Sequence, residues 1–140
     1  MRLALDTDVL VAALRSPSGA SSALMLAALD GKLTLLANVA LALEYEAVCS
    51  RAEHLEAAGL GPRELAVFLD AVCALIVPVK SHFFWRPQLR DASDEMVLEA
   101  AVNGRASAIV TFNRRHFGLA AEKFGIRLLL PREALRSLPP

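Results

Sequence analysis

Short apolar runs punctuate this chain at near-regular intervals: LAL at 3–5, LTLLA at 33–37, LIVPV at 75–79, SAIVT at 107–111 and IRLLL at 126–130. A strand buried on both faces reads as a continuous apolar run, and consecutive parallel strands need a crossover of helix length between them. The segments between the runs supply that crossover. SALMLAALDGK follows the loop RSPSGAS, with Ser21 or Ser22 placed to cap it, and Asn38 can cap one long helix through VALALEYEAVCSRAEHL. Gly61-Pro62 opens RELAVFLDAVCAL with proline at the first helical position, and DEMVLEAAVNG runs from Ser93 as a cap to Gly104 as a stop. FNRRHFGLAAEKFG holds a short helix and PREALRSL a final helical turn. The alternation predicts an α/β fold, a mostly parallel sheet of four to five strands covered on both faces, with Pro78 confining the third strand to an edge or an end.

With 140 residues, 55% of them hydrophobic, the chain has the size and apolar content of one domain, 1–140. Lys plus Arg and Asp plus Glu number 15 each, so no global positive field exists and any contact with nucleic acid must be local. Cys49 and Cys73 lie in helix-like apolar segments without metal spacing, which reads as reduced core thiols. The first apolar stretch is too short and too interrupted by charge for a signal peptide or a membrane span. A cytoplasmic location is expected.

Polar residues fall where such a sheet binds ligands, outside the carboxyl ends of its strands and near the point where strand order reverses. Asp6 ends the first strand, and Thr111 and Asn113 sit at or just past the end of SAIVT. Asp94 and Glu95 open the helix before that strand, and Glu44 stands in an earlier helix among Leu41, Leu43, Ala47 and Val48, whereas Glu46 is expected at the surface. Asp8 has a plain role as cap for a helix starting at Val9, and Asp91 reads as a loop acid. Carboxylates gathered at one sheet end repel one another and pay for desolvation unless a cation neutralises them. Oxygen donors without His or Cys point to Mg²⁺ or Mn²⁺, and the chemistry these ions best support is displacement at phosphorus. Phosphodiester hydrolysis is the expected reaction. The basic residues Arg86, Arg90, Arg114 and Arg115, with aromatics at Phe83, Phe84 and Trp85, suit a single-stranded RNA held by phosphate contacts and base stacking.

Four blocks, LALDTDVLVAAL, LALEYEAVCSR, DASDEMVLEAAVNGRASAIVTFNRRHF and GIRLLLPREAL, resemble in content and order the PIN-domain family, in particular bacterial toxin components related to VapC-type ribonucleases. The resemblance implies a three-layer α/β/α PIN-like fold and a Mg²⁺- or Mn²⁺-dependent endoribonuclease. It carries site roles to Asp6, Glu44, Asp94 with Glu95, Thr111 and Asn113, with Asp6, Glu44 and Asp94 as metal ligands. It further implies a homodimer or higher homo-oligomer and a cognate antitoxin. Asp8 stands where the family usually has Asn, and Asn113 where many members have an acid.

Rival readings differ in residue order. A haloacid-dehalogenase-like phosphatase also opens with Asp-x-Asp, but places its Thr or Ser motif before its later acids, whereas Asp94 and Glu95 here precede Thr111. A signal receiver needs an Asp ending its third strand and a Lys ending its fifth, and LIVPVK and IRLLLP supply neither. A PIN-fold protein that binds RNA or protein without cutting remains the main alternative.

Overall fold

The structure, a computed structural model, describes residues 1–80 and 89–139. In chain order the elements are β1 (Arg2–Leu5), α1 (Thr7–Arg15), α2 (Ala20–Leu29), β2 (Thr34–Ala37), α3 (Val39–Cys49), α4 (Ala52–Ala58), α5 (Pro62–Leu75), β3 (Ile76–Pro78), α6 (Ala92–Asn103), β4 (Ala108–Val110), α7 (Arg114–Phe117), α8 (Ala120–Lys123), β5 (Arg127–Leu129) and α9 (Pro131–Arg136). The five strands form one sheet ordered β3-β2-β1-β4-β5, every pair parallel rather than mostly so. Helices flank the sheet in the three-layer α/β/α arrangement. The chain winds outward from β1 to β3, then crosses back to β4 and β5. Strand order therefore reverses between β1 and β4, and the clefts that bind ligands in open parallel sheets lie at such reversals.

The central strands are apolar because both faces are covered. Leu3, Ala4, Leu5, Ala108, Ile109 and Val110 are all buried, and β3, at the edge, carries the proline whose missing N–H an edge tolerates. Asn38 caps α3 by accepting from the Leu41 N–H at 2.8 Å, and its own amide donates to the Met96 carbonyl on α6 at 3.2 Å. The two helices that bring Glu44 and Asp94 to the sheet end are thus tied together at their starts.

Several local expectations are corrected. The long helix after Asn38 breaks at Ser50, whose hydroxyl bonds back to the Glu46 carbonyl at 2.6 Å, and Arg51 is extended before α4 begins. Such back-bonding competes with helix continuation. The hydroxyl of Ser22 is committed to the Ala13 and Ser16 carbonyls, so Gly19 rather than Ser21 or Ser22 caps α2. Asp91, not Ser93, caps α6, accepting from the Ser93 N–H at 2.8 Å. Cys73, expected in the core, is exposed on α5 beside buried Val72, and Cys49 is buried as expected. The segment after β4 holds two short helices, α7 and α8, separated by Gly118.

Gly104 does end α6, for a reason other than backbone freedom. An added Cβ would lie 2.8 Å from the Ala100 carbonyl oxygen, 2.8 Å from a Val79 methyl and 3.0 Å from a Leu36 methyl, so the helix end is pressed against the sheet. The left-handed residue is the next one, Arg105, at φ 54°. Among the described residues no single helix is long and apolar enough to cross a membrane.

Candidate active site

Asp6 follows β1 directly, and its backbone N–H still donates to the Val110 carbonyl of β4 at 2.9 Å. It is also the N-cap of α1: one carboxylate oxygen accepts from the Thr7 N–H at 2.8 Å. The other accepts the Thr111 hydroxyl at 2.7 Å across the strand reversal. Both side chains are buried. The Thr111 hydroxyl in turn accepts from the Asn113 N–H at 2.9 Å, so the turn after β4 is folded onto the end of β1.

Asp8 was expected to cap α1, but that position belongs to Asp6 and Asp8 lies inside the first turn. Its Oδ2 accepts from the Asn113 amide at 2.9 Å and from the Phe112 N–H at 3.2 Å, a second tie between the two loops. Its Oδ1 is buried and has no hydrogen-bond partner among the described residues.

Across the cleft, α6 presents Asp94 at the rim of a hollow of about 440 Å³ lined also by Arg90, Asp91, Arg115 and His116. The His116 Nδ1 lies 3.5 Å from the Asp94 Oδ2. Glu44 reaches the same helix start, where its Oε1 accepts the Ser93 hydroxyl at 3.2 Å. Next to Glu44, buried Tyr45 donates its hydroxyl to the Leu5 carbonyl, which fixes α3 against the end of β1. Glu95 is buried and accepts from the Leu89 N–H, so this bond runs into the segment preceding α6.

Electrostatics identify a crowded set of negative charge. Burial raises the Asp6 carboxyl above its ordinary value; the bonds from Thr111 and Thr7 and the positive field of His116 oppose the rise, and Asp91 adds to it. Burial, then repulsion from Asp6, pushes Asp8 up to about 7. Burial, then Asp6 and Asp91, pushes Asp94 up to about 6 against the lowering field of His116. Asp91, read in the sequence as a loop acid, is thus both a helix cap and part of this field.

The donors that face one another are hard oxygens, the nearby hydrogen bonds and His116 offset their repulsion and burial only in part, and Asp8 keeps one buried oxygen without a hydrogen-bond partner among the described residues. That chemistry fits a hard divalent cation. The arrangement is open: among the described residues no three His, Cys, Asp or Glu side chains are gathered tightly enough to form a cage of their own.

Of the basic residues, Arg90 and Arg115 line the hollow over Asp94, while Arg114 turns to Glu133 of α9 at 3.2 Å. Arg86, with His82, Phe83, Phe84 and Trp85, lies outside the described residues. Nothing local in the sequence marks Ser93, Tyr45 or His116 as partners of the acids, because each meets its acid or its anchor through tertiary packing. The spacing Asp91-x-Ser93 carried a weak signal, since both residue types favour helix starts.

The sequence model of the PIN domain matches residues 2–115, from the start of β1 past Asn113, and so spans Asp6, Asp8, Glu44, Asp91, Asp94 and Glu95. The chain belongs to the PIN domain family. PIN domains are generally nucleases and typically bind divalent metal ions, which places this PIN domain among nuclease-type hydrolases and sets aside the phosphatase and signal-receiver readings. No curated protein matches the chain.

Proposed function

We propose that this PIN domain is a Mg²⁺- or Mn²⁺-dependent endoribonuclease, the toxin of a toxin–antitoxin pair. The observation that carries the nuclease chemistry is the electrostatic coupling of Asp6 with Asp8 and with Asp94, all with raised carboxyl pKa, at the reversal between β1 and β4, Asp94 sharing a hollow with Arg90, Arg115 and His116. An acidic floor under a basic rim suits a polyanion: the rim collects phosphates while the floor repels them unless a cation intervenes.

Asp6, Asp94 and Glu44 would hold the ion. When bound, it stabilises charge developing on phosphate oxygens and makes water acidic enough to act as nucleophile near neutral pH. The chain's own groups prepare this. Thr111 and the Thr7 N–H hold the Asp6 carboxylate in one orientation, Asn113 and the Phe112 N–H hold Asp8, and Ser93 holds Glu44 at the start of α6. Arg115 and Arg90 are placed to orient the strand. Water attacks and the ribose oxygen leaves, so no covalent intermediate on the chain is needed. The toxin role, the antitoxin partner and a homodimer rest on the sequence resemblance.

The open arrangement of the acids favours one alternative, a PIN fold that binds RNA without cutting it. Cleavage of a panel of structured and unstructured RNAs, with Mg²⁺, with Mn²⁺ and with chelator, separates the two. Cleavage is expected with metal only, and Asp6→Asn is expected to lower it by more than about 100-fold with circular dichroism unchanged. Metal-independent cleavage, or an active Asp6→Asn protein, would refute the assignment.

A further inference from the structure

Phe112 stands between the two residues that bind the acids. Thr111 holds Asp6 and Asn113 holds Asp8, yet the Phe112 side chain joins no core: the residue is 49% exposed, while Phe117, the next aromatic, is fully buried. Its backbone is anchored, because its N–H donates to the Asp8 Oδ2 at 3.2 Å. The ring is therefore a projecting apolar plate on a fixed root, tied to the same carboxylates that form the acidic floor.

Two hollows share the plate as part of their wall. One of about 490 Å³ is lined by Arg114, Arg115 and His116, and the other, of about 240 Å³, by Pro131 and Arg132. Single exposed apolar residues are common on protein surfaces, so it is the flanks of this one that give it a partner and a chemistry. Apolar Leu130 belongs to both hollows and Ala20 and Pro131 to the smaller one, but each hollow also carries an exposed cation, Arg115 in one and Arg132 in the other. A flat aromatic face with a positive side chain in each adjoining hollow matches a flat base with its two phosphates.

We propose that Phe112 is the floor of a nucleobase subsite: an unpaired base stacks on its ring, and Arg115 and Arg132 receive the phosphates flanking that base. The inference rests on the ribonuclease reading and gives the single-stranded RNA expected from the sequence a base contact at a named residue, since a base locked in a duplex offers no free face. Stacking tolerates every base, so the subsite selects single strands more than sequence.

The test is binding of a short single-stranded RNA carrying aminopurine, measured by fluorescence on the full chain at low salt with Ca²⁺ in place of Mg²⁺ or Mn²⁺, so that the acids are neutralised. The proteins are wild type, Phe112→Ala, Phe112→Leu and Phe112→Trp. Stacking quenches the probe. Quenching is expected with wild type and Phe112→Trp and is expected to vanish with Phe112→Ala and Phe112→Leu, with binding weakened about 5- to 150-fold in the alanine variant. The same RNA annealed to its complement is expected to lose the difference between wild type and Phe112→Ala. Equal quenching and affinity in wild type and Phe112→Ala, or no quenching with wild type, would overturn the subsite. So would a Phe112→Ala protein whose only change is its elution as a smaller species, because the ring would then be a contact between copies. Cleavage of the same RNA by wild type with Mn²⁺, run in parallel, reports on the ribonuclease reading alone: quenching without cleavage removes that reading and leaves the subsite.

Discussion

Replacing Asp8 by asparagine tests whether the acidic floor is held together against its own repulsion. The asparagine carbonyl can accept from Phe112 and Asn113 as the carboxylate does, so the tie between the two loops survives and the charge is what changes. A carboxyl raised from 3.8 in the unfolded chain to about 7 in the fold binds its proton more tightly when folded. Its stabilisation is fully present below about pH 4 and is lost as pH rises through about 7. At about 1.4 kcal/mol per pH unit that interval sets a ceiling of about 4 kcal/mol, and because Asp8 is only half-buried, solvent screening reduces the expectation to about 1–2 kcal/mol. Urea unfolding followed by circular dichroism, in chelator at pH 5, 6, 7 and 8, gives the comparison directly. Wild type is expected to lose stability across that range, and Asp8→Asn to gain about 1–2 kcal/mol relative to wild type between pH 5 and pH 8. Parallel pH profiles for the two proteins would refute the reasoning, since Asp8 would then carry no repulsion.

Thr111→Val removes the buried hydroxyl that joins Asp6 to the Asn113 N–H, and is expected to cost about 1–3 kcal/mol in urea unfolding and to reduce cleavage, with Thr111→Ser close to wild type in both. Gly104→Ala places a methyl 2.8 Å from the Ala100 carbonyl oxygen and is expected to destabilise the fold by about 1–3 kcal/mol in the same assay. A neutral effect would mean that the α6 end can move off the sheet.

Which features were legible follows from how local their causes are. β1, β2 and β4 could be read because burial on both faces leaves a run of apolar residues that no surface element tolerates. Asp6 and the Thr111–Asn113 turn could be placed because each directly follows such a run. The Asn38 cap was legible because cap and helix are adjacent. Asp8 was misread as a cap because its partners, Phe112 and Asn113, lie more than one hundred residues away, and nothing near it distinguishes a cap from a cross-loop acceptor. Asp91 and Ser93 exchanged roles because both residue types satisfy helix N–H groups, and only Glu44, arriving from α3, draws the Ser93 hydroxyl elsewhere. Cys73 was assigned to the core because α5 is apolar beyond the face it buries. The position of Glu44 depends on Tyr45 meeting the Leu5 carbonyl, a contact set by packing of α3 on β1.

The central place of β1 has a consequence for when the site comes into being. β1, the first of the five strands in chain order, is flanked in the finished sheet by β2 and by β4, and Thr111, which clamps Asp6, lies 105 residues beyond that aspartate. Long-range pairing of this kind forms late, after the intervening chain has paid its loop-closure entropy. Until β4 has emerged and docked, a growing chain carries its acids as scattered, solvated side chains with nothing to aim them. A site built in this order has no partial form: it is absent until β4 closes on β1, and present once it has.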